Sequence, residues 1–142
     1  MDVLLPVVDE YSQPFWDGAL EGKLRIQACD GCGRLRFPPR PMCPSCQSLQ
    51  SSWRTMSGRG TIYSFVIPHP PLLPAYAEVA PYNVALVELE EDPLIRLVGN
   101  VVADTDAAIN SVDTSHLQIG GSVHAVFPVV AEGVALLRWV LS

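Results

Sequence analysis

The chain has 142 residues, 49% of them hydrophobic, with nine Lys or Arg against fifteen Asp or Glu and a formal net charge of −6. That length holds one proper core plus a small satellite, and no apolar run approaches the roughly 18 to 20 residues that span a bilayer. A membrane partner is therefore excluded, a soluble cytoplasmic protein is expected, and thirteen prolines with ten glycines point to short strands and turns rather than a helical bundle.

Met1 to Glu10 has no basic start and carries Asp2, Asp9 and Glu10, so no signal peptide is visible. Residues 12–21 read as a short helix, with Ser12 as cap, Pro14 in the first turn and Gly22 as terminator. Its apolar side, Phe15, Trp16, Ala19 and Leu20, needs a surface to dock on, since so short a helix is marginal alone. That surface is either its own neighbouring module or a partner chain.

Lys23 to Gln27 alternates as a strand into Cys29-x2-Cys32. Arg34 to Phe37 leads out again before Pro38-Pro39 breaks pairing, and Cys43-x2-Cys46 follows. These are the only four cysteines in the chain. Two Cys-x-x-Cys turns deliver two thiolates each, the donor set for a tetrahedral zinc ion. Gly31 and Gly33 give the first turn backbone freedom, and Pro44 pre-sets the second. Both halves look like rubredoxin-type knuckles, and iron in the same four-thiolate site, as in an electron carrier, is the alternative metal. Disulfides would require an oxidising compartment. With all four positions taken by protein, the ion holds structure rather than performing chemistry.

Gln47 to Ser52 reads as a connection, with packed structure resuming at Trp53 and a module boundary near Met56. Gly60 to Ile67, Asn83 to Glu90, Leu94 to Val102, Ser122 to Val129 and Val134 to Leu141 read as five strands. Glu90-Glu91-Asp92-Pro93 turns the second into the third. The polar stretch 104–117 is a loop or short helix bridging the third and fourth. Five strands with that excursion match the order of an OB-fold. The expected fold is thus mainly β: a short N-terminal helix within 1–22, a zinc ribbon over 23–55 and a five-stranded OB-fold barrel over 56–142.

Charge is unevenly placed. Seven of the nine basic residues lie between Lys23 and Arg59, where Asp30 is the sole acid. The ribbon is a cationic patch on an acidic body, suited to phosphates, to an acidic protein face or to water. Arg34, Arg36 and Arg40 are the candidates for a phosphate-bearing ligand such as coenzyme A, because the planar guanidinium fork matches phosphate. There is no Gly-x-Ser-x-Gly, His-Glu-x-x-His or Walker-type motif, so no catalytic residue is assigned. His69, in the stiff segment Pro68 to Pro74 between the first two barrel strands, is the one histidine placed to reach a partner. Zinc ribbons and OB-folds also bind single-stranded nucleic acid. The acidic balance and the lack of interleaved aromatic and basic residues in the barrel half weigh against that alternative.

Phe15-Trp16-Asp17-Gly18 through Gly22, the four cysteines, Phe37-Pro38-Pro39, Ser57-Gly58-Arg59-Gly60, Pro81-Tyr82, Ile119-Gly120 and Val126-Phe127 occur in an order that resembles a family of thiolase-associated proteins, long catalogued as a domain of unknown function. The resemblance spans almost the whole chain. One departure is Glu90-Glu91-Asp92-Pro93, where the family often has an acid and a glycine. The resemblance implies an N-terminal helix, a rubredoxin-like zinc ribbon and a C-terminal OB-fold. It further implies a companion subunit, in a hetero-oligomer with a thiolase-fold enzyme (thiolase, aldolase or acyltransferase). Such a subunit aids assembly and acyl-CoA access in lipid or steroid side-chain metabolism.

Overall fold

The computed structural model describes residues 3–142. Met1 and Asp2, part of the segment read as lacking a signal, lie outside the described residues.

Helix α1 (Gln13–Leu20) has Pro14 in its first turn. Ser12 does not cap it through its side chain. Instead Ser12 N donates to Asp9 Oδ1 at 2.8 Å and Asp9 N to Ser12 Oγ at 3.2 Å, closing the turn that precedes the helix. At the other end Gly22, at φ +72°, lets Lys23 N return to Gly18 O at 2.8 Å, the reversal that usually ends a helix. Phe15, Gly18 and Ala19 are buried, while Leu20, expected on the packed side, is exposed. Gly18 takes that role because a Cβ there would lie 2.9 Å from Lys23 O and 3.0 Å from the Arg25 stem. Its absence lets the helix sit directly on the following strand.

That strand, β1 (Arg25–Cys29), is central in a three-stranded antiparallel ribbon with β2 (Leu35–Arg36) and β3 (Ser51–Thr55). The segment read as a connection thus already pairs at Ser51, in register from Cys29↔Ser51 to Arg25↔Thr55. Ser-Ser-Trp-Arg-Thr carries one large apolar residue, too little for an alternation signal. Partnership with β1, rather than local propensity, makes it a strand.

The barrel begins with β4 (Arg59–Val66), followed by the one-turn helix α2 (Pro74–Ala77), β5 (Val84–Leu89) and β6 (Arg96–Gly99). A long loop then ends in a 3-10 turn at Thr114–His116, where Asp113 accepts from Ser115 N. After β7 (Ser122–Val126) a small hairpin of β8 (Val129–Ala131) and β9 (Val134–Ala135) precedes β10 (Arg138–Leu141). The two final strands expected from sequence are therefore each broken. Pro128 cannot donate to a ladder, and its carbonyl accepts from Leu136 N at 3.0 Å, tying off the hairpin.

The main sheet has the order β10-β7-β4-β5-β6, every neighbour antiparallel. β4 pairs on both sides and bends at a register shift between Ile62 and Ser64, as curling into a barrel requires. A parallel bridge between Val101 and Trp139 joins the two ends of the sheet. Asn83, fully buried, fixes that seam by accepting from Val101 N at 2.7 Å and donating to Val101 O at 2.9 Å. Gly60 is obligatory where β4 meets β5, since a Cβ would stand 2.6 Å from Glu88 O.

Phe15 of α1, Leu24 and Ile26 of the ribbon, Met56 of the connection, and Ile62, Val87, Leu97, Val123 and Trp139 of the barrel belong to one continuous apolar cluster. The helix docks on its own chain. No helix among the described residues is long and apolar enough to cross a membrane.

Candidate metal centre and the clefts beside it

β1 ends on Cys29, and the chain turns at once. Gly33 N donates to Cys29 O at 2.9 Å, and Cys29 N donates back to Arg34 O at 2.9 Å. Gly33 makes the reversal at φ +77°. The second turn repeats this, with Gln47 N to Cys43 O at 2.9 Å and Cys43 N to Ser48 O at 3.0 Å. Its left-handed position is filled by Gln47 at φ +65°, a residue that gave no such signal in the sequence. Gly31 packs the two turns together, because a Cβ there would lie 3.1 Å from Ser48 Cβ and 3.3 Å from Cys46 Sγ.

The four Sγ atoms converge to within 4.8 Å of one another, with 3.4 Å between Cys29 and Cys46 and 3.7 Å between Cys32 and Cys43. A tetrahedron with Zn–S bonds of about 2.3 Å has edges of about 3.8 Å. The donor set fits one tetrahedral ion. Backbone N–H groups of Gly31 and Cys32 point at Cys29 Sγ from 3.3 and 3.4 Å, partly offsetting thiolate charge as ribbon knuckles need. The same effect acts on titration. The Cys46 and Ser45 amides hold the Cys43 thiol down to about 6, and the Cys32 amide lowers Cys29. Among the described residues this is the only cluster of three or more His, Cys, Asp or Glu donors placed to hold a metal.

The three arginines read as candidate phosphate contacts line one cleft of about 400 Å³, between the ribbon and the hairpin tip at Asp92 and Ile95. Their situations differ. Arg34 is exposed and reaches Ser45 Oγ at 3.3 Å. Arg36 is buried, and its Nε and Nη2 donate to Arg40 O at 3.3 and 2.9 Å, leaving Nη1 without a partner. Arg40 presents an exposed side chain, while its backbone is clamped. Its N–H donates to Gln27 Oε1 at 2.8 Å, and its carbonyl accepts from Gln27 Nε2 at 2.9 Å. Gln27 was not singled out from sequence. The available signal is a polar residue at the centre of an otherwise buried strand, Ile26-Gln27-Ala28.

A second, larger groove of about 730 Å³ runs over β5 and β6, walled by Phe15, Trp16, Phe37, Tyr76 and Tyr82. It lies where OB-folds commonly take ligands, beside the second and third strands and the loops that flank them. His69 does not line it. Its Nδ1 lies 2.7 Å from Ile67 O, within its own exposed loop. His124 Nδ1 meets Ser142 Oγ at 3.1 Å.

The family described as ChsH2, rubredoxin-like zinc ribbon domain matches residues 16–50, and ChsH2, C-terminal OB-fold domain matches residues 53–128. The chain is 36% identical to the 3-oxo-4,17-pregnadiene-20-carboxyl-CoA hydratase alpha subunit of Mycobacterium tuberculosis, over 80% of this chain and 32% of that subunit. It is 31% identical to a DUF35 domain-containing scaffold protein of Methanocaldococcus jannaschii, over 73% of this chain and 67% of the relative. It thus spans about a third of the length of the curated hydratase subunit it matches. Among solved structures, a chain of the Ltp2-ChsH2(DUF35) aldolase superimposes with a TM-score of 0.81 at 31% identity, covering 96% of this chain and 98% of that one. From four convergent thiols, a five-stranded barrel and these matches in the same order along the chain, this protein belongs to the ChsH2/DUF35 family of zinc-ribbon and OB-fold proteins.

Proposed function

We propose that this chain is a non-catalytic companion subunit of a thiolase-fold enzyme acting on acyl-CoA substrates, within lipid or steroid side-chain metabolism. In this role it helps assemble the enzyme and admit its substrate. The observation that carries the reading is the likeness, over 96% of this chain, to a chain of the Ltp2-ChsH2(DUF35) aldolase. The names of the related hydratase subunit and scaffold protein support it from two sides, acyl-CoA chemistry and assembly. The metal centre agrees with a structural role, since four protein thiols complete a tetrahedral set.

In this reading the ribbon cleft receives the phosphates of coenzyme A. Arg34 and Arg40 supply exposed charge, and Arg36 holds the Arg40 backbone in place. Residues 1–22, 23–55 and 56–142 are the proposed divisions of the chain, supported at the second boundary by β3, which stays paired to the ribbon through Thr55.

The test is to recover the tagged chain from its native cytosol and identify what is bound in stoichiometric amount. A thiolase-fold protein is expected, in a complex whose acyl-CoA turnover falls when this chain is removed. Recovery of nucleic acid, or of the chain alone, sinks the companion reading. Calorimetry of the complex with CoA tests the cleft separately: Arg34→Ala with Arg40→Ala should weaken binding by tenfold or more, and unchanged affinity removes the assignment.

A further inference from the structure

At the start of β10, Arg138 is 8% exposed, yet it pairs with no carboxylate among the described residues. Its Nη1 lies 3.5 Å from Ala107 O, at the limit of a hydrogen bond, and its buried Nε has no partner. Burial works against its charge. A guanidinium removed from water without a counter-charge is costly. Arg138 also lines a cleft of about 310 Å³ with Val3, Asp106, Ala107, Ile109 and Val130, away from both the metal centre and the ribbon arginines.

We propose that this cleft is a carboxylate-binding site with Arg138 as its anchor. The chemistry selects the class of ligand. A single forked cation among apolar walls suits a monoanionic carboxylate. A phosphate would want several donors, and Asp106 on the rim opposes a second negative charge. The ribbon cleft, where Arg34 and Arg40 both expose their side chains, is the opposite case. The volume admits a short acid, or an acidic side chain presented by a partner protein.

The experiment follows the arginine Nε–H resonances of the full, zinc-loaded chain by NMR during titration with sodium butyrate at constant ionic strength. The resonance missing from both Arg138→Lys and Arg138→Gln should move saturably with butyrate and stay in place with chloride. Arg138→Gln should bind butyrate at least tenfold more weakly, and Asp106→Asn should bind it more tightly. No saturable movement, an equal movement with chloride, or butyrate binding that survives in Arg138→Gln overturns the proposal. So does a shift of the free resonance, as large as butyrate causes, in Asp106→Asn or in Asp2→Asn, because the chain's own carboxylate would then fill the cleft. An acetate, butyrate and hexanoate series separates the sources. Affinity rising with chain length identifies a free short acid. A flat series, with tenfold loss of affinity of Arg138→Gln for the co-purified companion, identifies a partner's side chain.

Discussion

In the barrel, Ile62, Val87, Leu97, Val123 and Trp139 are each 2% exposed or less. In the outer ribbon, residues 30–50, only Arg36 and Cys43 are buried. The barrel is held by apolar burial spread over many side chains, so no single contact decides its fold. The outer ribbon has no apolar interior. Its shape is set by four sulfurs, the backbone returns at the two knuckles, and the Gln27 bonds to Arg40. Where a segment cannot bury enough surface, a few directional contacts replace many weak ones, and each carries a larger share of the stability.

Removing one ligand should break the comparison most visibly. Cys43→Ser is expected to lose bound metal by elemental analysis. Structural zinc contributes on the order of 10 kcal/mol or more in small domains, and residues 30–50 should lose amide protection while barrel strands keep theirs. Global unfolding instead would show that the shared core ties the two regions more tightly than their separate means of support suggest. Trp139→Ala is the reverse experiment. It should lower stability by about 3–5 kcal/mol in urea with metal content unchanged, since the lost volume lies at the barrel seam.

A smaller effect is expected at the polar clamp. Gln27→Ala removes two bonds to the Arg40 backbone and one to Ser51 Oγ. The cost should be about 1–3 kcal/mol, with hydrogen exchange quickened around residues 37–42 and the metal retained. The smallest lies at the entry to α1, where the bonds from Ser12 hold the Asp9 carboxyl below its usual value. Because the folded value is the lower one, the stabilisation is full above the ordinary carboxylate range and is lost as pH falls through that lower value. An NMR titration of Asp9, and a flattened acid limb in Asp9→Asn, would show it.

Much of this was legible in the residues themselves. The cysteine spacing located the metal centre because coordination geometry tolerates few alternatives. The turn Glu90 to Pro93 was visible because apolar alternation stops on either side of it. What escaped notice depends on contacts distant in sequence. β3 is a strand because β1 lies beside it, and Gln27 matters because Arg40, thirteen positions away, returns to meet it. Arg36 carries the same composition signal as Arg34 and Arg40. Only packing shows that its guanidinium is spent largely on a backbone carbonyl while its neighbours face water. Leu20 and Gly18 exchanged roles for a similar reason, since close approach to a strand rewards an absent side chain that periodicity alone cannot detect.

The apolar cluster that runs from Phe15 through Leu24, Ile26 and Met56 into the barrel has a mechanical consequence. A linker between two separately packed bodies would bend, but here the joint itself is packed solid, so the molecule behaves as a bracket with a fixed angle. Whatever grips the metal end also sets the position and orientation of the barrel face. Met56, buried in that joint, is one of the residues that fix the angle.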